Sequence, residues 1–345
     1  MIKALIVDDS NVFSDILTKI LQSDIDIKVI GRAVNGIEAV NLAERLNPDV
    51  ITMDIQMPLM NGVTATEEIM RRHPTPIIIL SSYVNKKETK VCFDALKAGA
   101  VDVMEKPTGR TLLDYQEIED ELIKMVKIAA GVKVFSHLNL SKGLTDRRPA
   151  IPTVVTAKKQ KIKIIVIGAS TGGPIAINTI LSALPPDFSV PCVVVQHIAK
   201  GFLEGFVDWL ARECRIKVKI ALQNERIESG VAYFPPEDHH LGFYKNSLIR
   251  LYNDLPQNGH RPSITLIMKA AAEVYGSGVL GVLLTGMGRD GAEGLKAIKV
   301  AGGRTIAQDE DTCAVFGMPK EAIENNAADH VLPINKIAKH IMLMV

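Results

Sequence analysis

Short, nearly unbroken apolar runs alternate along this chain with stretches in which apolar residues return every three or four positions. KALIV at 3–7, DVITM at 49–53, PIIIL at 76–80 and VDVM at 101–104 are short and rich in β-branched residues, the pattern of strands buried on both faces. Val12, Phe13, Ile16, Leu17, Ile20 and Leu21 recur at helical spacing, and residues 114–130 read as a closing helix. The alternation over 1–125 predicts a parallel sheet with helices on both faces.

The patterning fails between about residue 131 and residue 161, so that 126–161 reads as a helix end followed by a linker. Gly131, Gly143, Pro149 and Pro152 interrupt it. Lys133, Lys142, Arg147, Arg148, Lys158, Lys159, Lys161 and the adjacent Lys163 stand there against a single acid, Asp146. This composition predicts a solvated basic linker between two domains. From 162 the alternation resumes with KIIVI, CVVVQ, KVKIA, VAYF, GVLGVLLT and RTIAQ. Helical patterns at 174–184, 202–213, 263–275, 292–300 and 334–344 separate most of these runs. Within 231–252, short runs around Pro235-Pro236 and Lys245-Asn246 predict antiparallel hairpins. The expectation is an α/β chain of two doubly wound domains, the second, 162–345, mostly parallel with a small antiparallel excursion.

Composition narrows this picture. A chain of 345 residues suits two cores, and 47% hydrophobic against 5% aromatic residues favours an aliphatic α/β interior. A net charge of +1 gives no global footprint for nucleic acid. Cys92, Cys192, Cys214 and Cys313 lack metal-ligand spacing and read as reduced thiols. The N-terminus starts directly on a strand pattern, and no apolar run reaches about 18 residues. A cytoplasmic protein without membrane insertion is expected.

Asp8 and Asp9 follow the first strand pattern, Asp54 ends the DVITM run, Ser81 ends the next and Lys106 ends the last. In a parallel sheet all five reach one carboxyl edge. Three clustered carboxylates suit a hard divalent cation, and one of them can accept a phosphoryl group whose charge Lys106 and Ser81 would meet. Asp54, alone after a buried strand, is the best acceptor. With VDDS, MDIQMP, ILSS and EKP in order, residues 1–125 resemble a response-regulator receiver domain. That resemblance implies a flavodoxin-like fold, phosphorylation at Asp54, Mg²⁺ held with the help of Asp8 and Asp9, and switching through Ser81 and Lys106. Val103 stands where receivers often place an aromatic residue.

The second domain carries a different set. Ser170 lies in Gly168-Ala169-Ser170-Thr171-Gly172, a G-x-S-x-G match between a strand pattern and a helix opened by Pro174. Such a turn is expected to hold a strained, exposed serine while helix-start amides face an oxyanion. His197 follows PCVVVQ and Asp290 follows LGVLLTGMGR. A general base and an orienting carboxylate would complete a nucleophilic trio. The chain order Ser, His, Asp differs from that of α/β-hydrolases and predicts a separate fold with the same chemistry.

Two rivals share these residues. Gly286 to Gly291 is a literal G-x-G-x-x-G with Asp309 downstream, the pattern of a dinucleotide site. NADH binding followed by fluorescence would reveal it. The other rival is a second domain that only binds a partner. Loss of ester hydrolysis in Ser170→Ala with folding unchanged would exclude that.

IGASTGG (167–173), QHIAKGF (196–202), GHRPSI (259–264), LLTGMGRDGAEG (283–294) and GGRTIAQDEDTCAVFGMPKEAI (302–323) make residues 162–345 similar to the catalytic domain of the chemotaxis protein-glutamate methylesterases. The resemblance implies hydrolysis of γ-glutamyl methyl esters on chemoreceptors with release of methanol, and deamidation of receptor glutamines. Ser170, His197 and Asp290 match the family's catalytic trio and the Met287 amide its oxyanion donor, with Thr171 a second contributor. No cofactor is implied in this domain. Methylated chemoreceptors and a chemotaxis histidine kinase, as phosphodonor, are the implied partners, with no nucleic acid among them. Arg289, Thr265 and His239 depart from the family's usual residues. A covalent switch joined to a site that must admit a bulky protein predicts that the unphosphorylated receiver partly covers that site.

Overall fold

A computed structural model of the chain describes residues 1–81, 86–106, 112–132, 134 and 161–345, with 86–89 and 112–118 as backbone only. The described residues among 1–82 and 94–161 form one compact unit, and those among 83–93 and 162–345 another. Of the basic residues expected in the linker, Lys161 and Lys163 are described. Lys133, Lys142, Arg147, Arg148, Lys158 and Lys159 lie outside the described residues.

The chain begins with β1 (Ile2–Val7), α1 (Asn11–Ser23), β2 (Ile27–Ala33), α2 (Gly36–Leu46), β3 (Val50–Asp54), α3 (Gly62–Arg72), β4 (Ile77–Ser81), α4 (Lys86–Lys97), β5 (Asp102–Glu105) and α5 (Leu112–Ala129). The strands form a parallel sheet in the order β2-β1-β3-β4-β5, the flavodoxin-like order. The order in which the chain adds strands reverses between β1 and β3, and a crevice opens there at the carboxyl edge. Ser10, Asn35 and Asn61 cap α1, α2 and α3 by accepting from amides of the first turns. Leu17, Ile20 and Leu21 of α1 join Ala4, Ile6, Ile78, Leu80, Leu122 and Val126 in the core. Val12, which the helical spacing grouped with them, is 72% exposed, because it begins the helix on the outer face. Strand β2 carries Lys28, Gly31 and Arg32 and has little continuous apolar character. As an edge strand it has only one neighbour, and its sequence reflects that.

The second unit runs β6 (Ile164–Ala169), α6 (Gly173–Leu181), β7 (Cys192–Gln196), α7 (Leu203–Glu213), β8 (Lys217–Ile220), β9 (Val231–Phe234), β10 (His240–Phe243), β11 (Ile249–Tyr252), α8 (Ile264–Tyr275), β12 (Val279–Leu283), α9 (Ala292–Val300), β13 (Arg304–Gln308), α10 (Met318–Glu324), β14 (His330–Leu332) and α11 (Ile334–Met344). Seven parallel strands form one sheet in the order β14-β13-β12-β6-β7-β9-β8. Strands β6, β7, β9 and β12 are buried throughout, as their unbroken apolar runs require. Ile164, Val166, Val193 and Val195 pack with Ile264, Met268, Leu283 and Leu295 across one face of the sheet.

The antiparallel excursion is a single hairpin, β10 paired with β11. The expected hairpin at Pro235-Pro236 does not form. VAYF is β9, paired in parallel with β7 and β8, and the two prolines, which have no N–H to give a ladder, carry the chain out of the sheet.

Candidate active sites

Ser170 follows β6, His197 follows β7, and Asp290 lies beyond β12. These three strands are neighbours, with β6 in the middle. The chain fills one side of β6 before it crosses to the other, so the crevice expected of an open α/β sheet falls among these residues. The Ser170 amide donates to the Thr285 carbonyl at 3.0 Å, and the His197 amide to the Ala169 carbonyl at 3.0 Å. His197 Nε2 lies 3.0 Å from Asp290 Oδ2. The approach is close but oblique, and neither ring nitrogen completes a hydrogen bond among the described residues. Because Nε2 faces the carboxylate, Nδ1 is the nitrogen left for the serine side.

The turn at Ser170 differs from the strained elbow expected of G-x-S-x-G. Among the described residues Ser170 is not one of those with positive φ, and the left-handed residue of the turn is Gly172, at φ +74°. Glycine adopts that conformation without the Cβ penalty, so the reversal costs Ser170 no backbone strain.

Asp290 is 3% exposed and is held by the start of α8. Ser263 Oγ, Thr265 N and Gly291 N each donate to its Oδ1 at 3.0 Å, and Ile264 N donates to Oδ2 at 2.8 Å. Burial would raise the pKa of this carboxyl. The His197 contact and the Thr265 donors outweigh burial and hold it well below the usual carboxylate range. Thr265, a departure from the expected acid, therefore meets Asp290 as a donor, and its Oγ1 also accepts from Gly291 N at 2.7 Å. A carboxylate there would face the catalytic one.

Gln196 escaped sequence reasoning. Its buried side-chain amide donates to the Ser170 carbonyl at 2.9 Å and to the His197 carbonyl at 2.7 Å. A polar residue ending an otherwise apolar strand was the signal. His260 was also missed as a separate residue: its ring stacks on that of His197 with centroids 3.8 Å apart and planes 8° apart.

Met287, 41% exposed, sits in a loop held from below, where the Gly317 amide donates to the Gly286 carbonyl at 3.2 Å. Among the described residues the amides of Met287 and Thr171 donate to no backbone carbonyl. The Thr171 carbonyl accepts from Thr285 Oγ1 at 3.0 Å. Arg289 is exposed, and His239 Nδ1 meets the Glu237 carbonyl at 2.9 Å. The glycines of the dinucleotide-like run have another use here: a Cβ on Gly286 would lie 2.6 Å from that of Ser170. Asp309 Oδ1 is taken up by Thr312, accepting from its amide at 3.1 Å and its hydroxyl at 2.6 Å. Cys192, Cys214 and Cys313 are free thiols. Burial pushes the thiols of Cys192, Cys214 and Cys313 up to about 12, so they are not nucleophiles at neutral pH.

In the first unit, carboxylate oxygens of Asp8, Asp9 and Asp54 lie within 4.8 Å of one another, with Asp9 exposed and the other two buried. Lys106 Nζ stands 2.6 Å from Asp8 Oδ2 and 3.0 Å from Asp54 Oδ2. Phe13, not foreseen near the site, has its ring centroid 4.8 Å from that ammonium. Burial raises the Asp54 pKa against the opposing charge and hydrogen bond of Lys106, with Asp8 adding to the rise. Asp54 Oδ1 accepts from the Ile55 amide at 2.8 Å. Ser81 is buried, and its carbonyl accepts from the Lys106 amide at 2.7 Å. Val103 is buried in the core at 2% exposure. Among the described residues no helix is long and apolar enough to cross a membrane.

Comparison with known proteins finds relatives over both units. Residues 165–341 match the family model of CheB methylesterase, and residues 4–116 that of the response regulator receiver domain. The protein-glutamate methylesterase/protein-glutamine glutaminase 1 of Syntrophus aciditrophicus is 43% identical over 340 residues, 98% of this chain and 97% of its own length. The corresponding protein of Thermotoga maritima is 39% identical over 350 residues, 100% of this chain and 99% of its own. Among solved structures, the Thermotoga maritima CheB methylesterase catalytic domain is similar with a TM-score of 0.52 and 40% identity, covering 54% of this chain and 100% of that one.

Proposed function

This chain belongs to the CheB methylesterase family, with a response regulator receiver domain preceding the hydrolytic one, and from that membership we propose how its residues divide the work. The enzyme is a protein-glutamate methylesterase and protein-glutamine glutaminase under receiver control. Its substrates are methylated chemoreceptors, and a chemotaxis histidine kinase supplies the phosphoryl group. Residues 1–125 act as the receiver, 126–161 as the connection and 162–345 as the catalytic domain, in the cytoplasm.

Ser170 Oγ adds to the ester carbonyl while His197 Nδ1 takes its proton. Asp290 keeps the ring turned with Nε2 toward the carboxylate and offsets the charge His197 gains. The Met287 and Thr171 amides receive the carbonyl oxygen as it becomes an oxyanion. Methanol departs with the proton held by His197, leaving the glutamyl group esterified to Ser170. Water, deprotonated by the same nitrogen, then releases the free glutamate side chain and the serine. With a glutamine substrate the departing molecule is ammonia. The catalytic domain needs no cofactor for these steps.

In the receiver Asp54 accepts the phosphoryl group, and Ser81 and Lys106 meet its oxygens. The three carboxylates of Asp8, Asp9 and Asp54, gathered with one exposed, suit a hard cation such as Mg²⁺. When bound there, the ion supplies positive charge against the carboxylates and the phosphoryl group.

The observation that carries the hydrolytic reading is the contact between His197 and the buried Asp290 one strand away from Ser170. Methanol release from methylated receptor membranes tests it. Ser170→Ala should abolish release, and Asp54→Ala should abolish stimulation by a phosphodonor while leaving basal release. Equal release from wild type and Ser170→Ala would refute the assignment.

A further inference from the structure

We propose that His260 is a positioning residue for this hydrolysis, setting the ring plane of His197. The inference rests on His197 being the general base. Its contact with Asp290 restrains one ring nitrogen at 3.0 Å but leaves the torsion about Cβ–Cγ soft, because that torsion has a broad minimum in histidine. A parallel ring restrains what a single contact cannot, namely the plane. His260 lies over His197 at 3.8 Å and 8°, so swivelling the His197 ring would break the stack and turn Nδ1 away from the serine.

His260 is itself held firmly. Its carbonyl accepts from the Gln257 amide at 3.1 Å and its amide donates to the Gln257 carbonyl at 3.0 Å. Between them Asn258 and Gly259 both have positive φ, +53° and +81°, the conformation for which an Asn-Gly pair is suited in a two-residue turn. Arg261 Nη1 closes the loop behind by donating to the Asn253 and Asp254 carbonyls at 3.1 and 3.2 Å. A few residues on, Ser263, Ile264 and Thr265 donate to Asp290. One short segment, 257–265, therefore orients both the general base and the carboxylate beside it. The stack also acts at the reacting stage: an aromatic face attracts the charge that His197 acquires with the serine proton, an attraction weaker before transfer and so felt in kcat.

The test uses the full-length protein with a small-molecule phosphodonor and methylated receptor membranes, measuring kcat and KM for methanol release in wild type, His260→Ala and His260→Phe. His260→Ala should lose about 10- to 100-fold in kcat, the scale of a misplaced catalytic group, with KM unchanged. His260→Phe, which keeps a flat ring, should recover most of that loss. An unchanged kcat in His260→Ala, a loss confined to KM, or a phenylalanine no better than alanine would each overturn the proposal. If the alanine variant does not fold, His260→Gln takes its place in the same comparison with His260→Phe. Wild type that releases no methanol would instead refute the hydrolase assignment itself.

Discussion

A Cβ on Gly286 would fall 2.6 Å from the Cβ of Ser170, closer than two carbons can approach without one moving. The loop that presents the Met287 amide can lie against the nucleophile only because residue 286 has no side chain. Gly286→Ala should lower ester hydrolysis by at least about 100-fold, since the two reacting parts would separate. Its cost in stability should be a modest 1–3 kcal/mol, roughly the scale of overpacking. Steady-state kinetics and thermal denaturation of the same variant check both halves.

Gln196 ties the carbonyls of Ser170 and His197 together with one amide group. Gln196→Leu leaves both carbonyls without that donor and should destabilise the catalytic domain by about 1–3 kcal/mol. Gln196→Glu, which keeps the shape and loses the donors, should do the same. A glutamate variant with wild-type turnover would show that the clamp is dispensable.

Asp290→Asn should reduce turnover by about 10⁴-fold, the scale on which serine hydrolases depend on the orienting carboxylate. Its stability effect has a definite pH dependence. The folded carboxyl is held below its unfolded value, so its contribution is complete above the unfolded pKa of about 3.9 and is lost as pH falls toward the folded one. Melting curves of wild type and Asp290→Asn should lie furthest apart at neutral pH and draw together below about pH 4.

The receiver carboxylate carries the opposite sign. Burial raises the folded pKa of Asp54, so ionisation costs stability once pH rises above the unfolded value. Asp54→Asn should therefore melt higher than wild type at neutral pH, with the advantage fading in acid, and should fail to take label from a phosphodonor. A neutral-pH melting point at or below wild type would contradict it.

A fragment of residues 162–345, freed of the receiver, should release methanol faster than the unphosphorylated full-length protein. This follows from reading the receiver as a cover that phosphorylation removes. Equal rates without phosphodonor would exclude that form of control.

The placing of the candidate site was legible where one residue breaks a regular pattern. Ser170, His197 and Asp54 each follow a run of buried strand residues, and a parallel sheet puts such residues on one edge whatever the loops do. Strand β2 was missed because an edge strand with Lys28 and Arg32 lacks the apolar contrast of a central one. Strand β14, three residues long, offers no period to detect. The strained serine was misjudged because a G-x-S-x-G string does not say which residue takes the left-handed conformation, and here Gly172 does. Gln196 and His260 owe their roles to distances across the sheet, and spacing along the chain carries no information about those.

The proposed catalytic trio hangs from β12, β6 and β7, the innermost three strands of seven. Fraying of such a sheet starts at β14 and β8, and each outer strand must detach before its inner neighbour is exposed. Amide protons beneath Ser170 should then exchange with solvent only through complete opening of the domain, so that the enzyme retains its competence until the moment it unfolds.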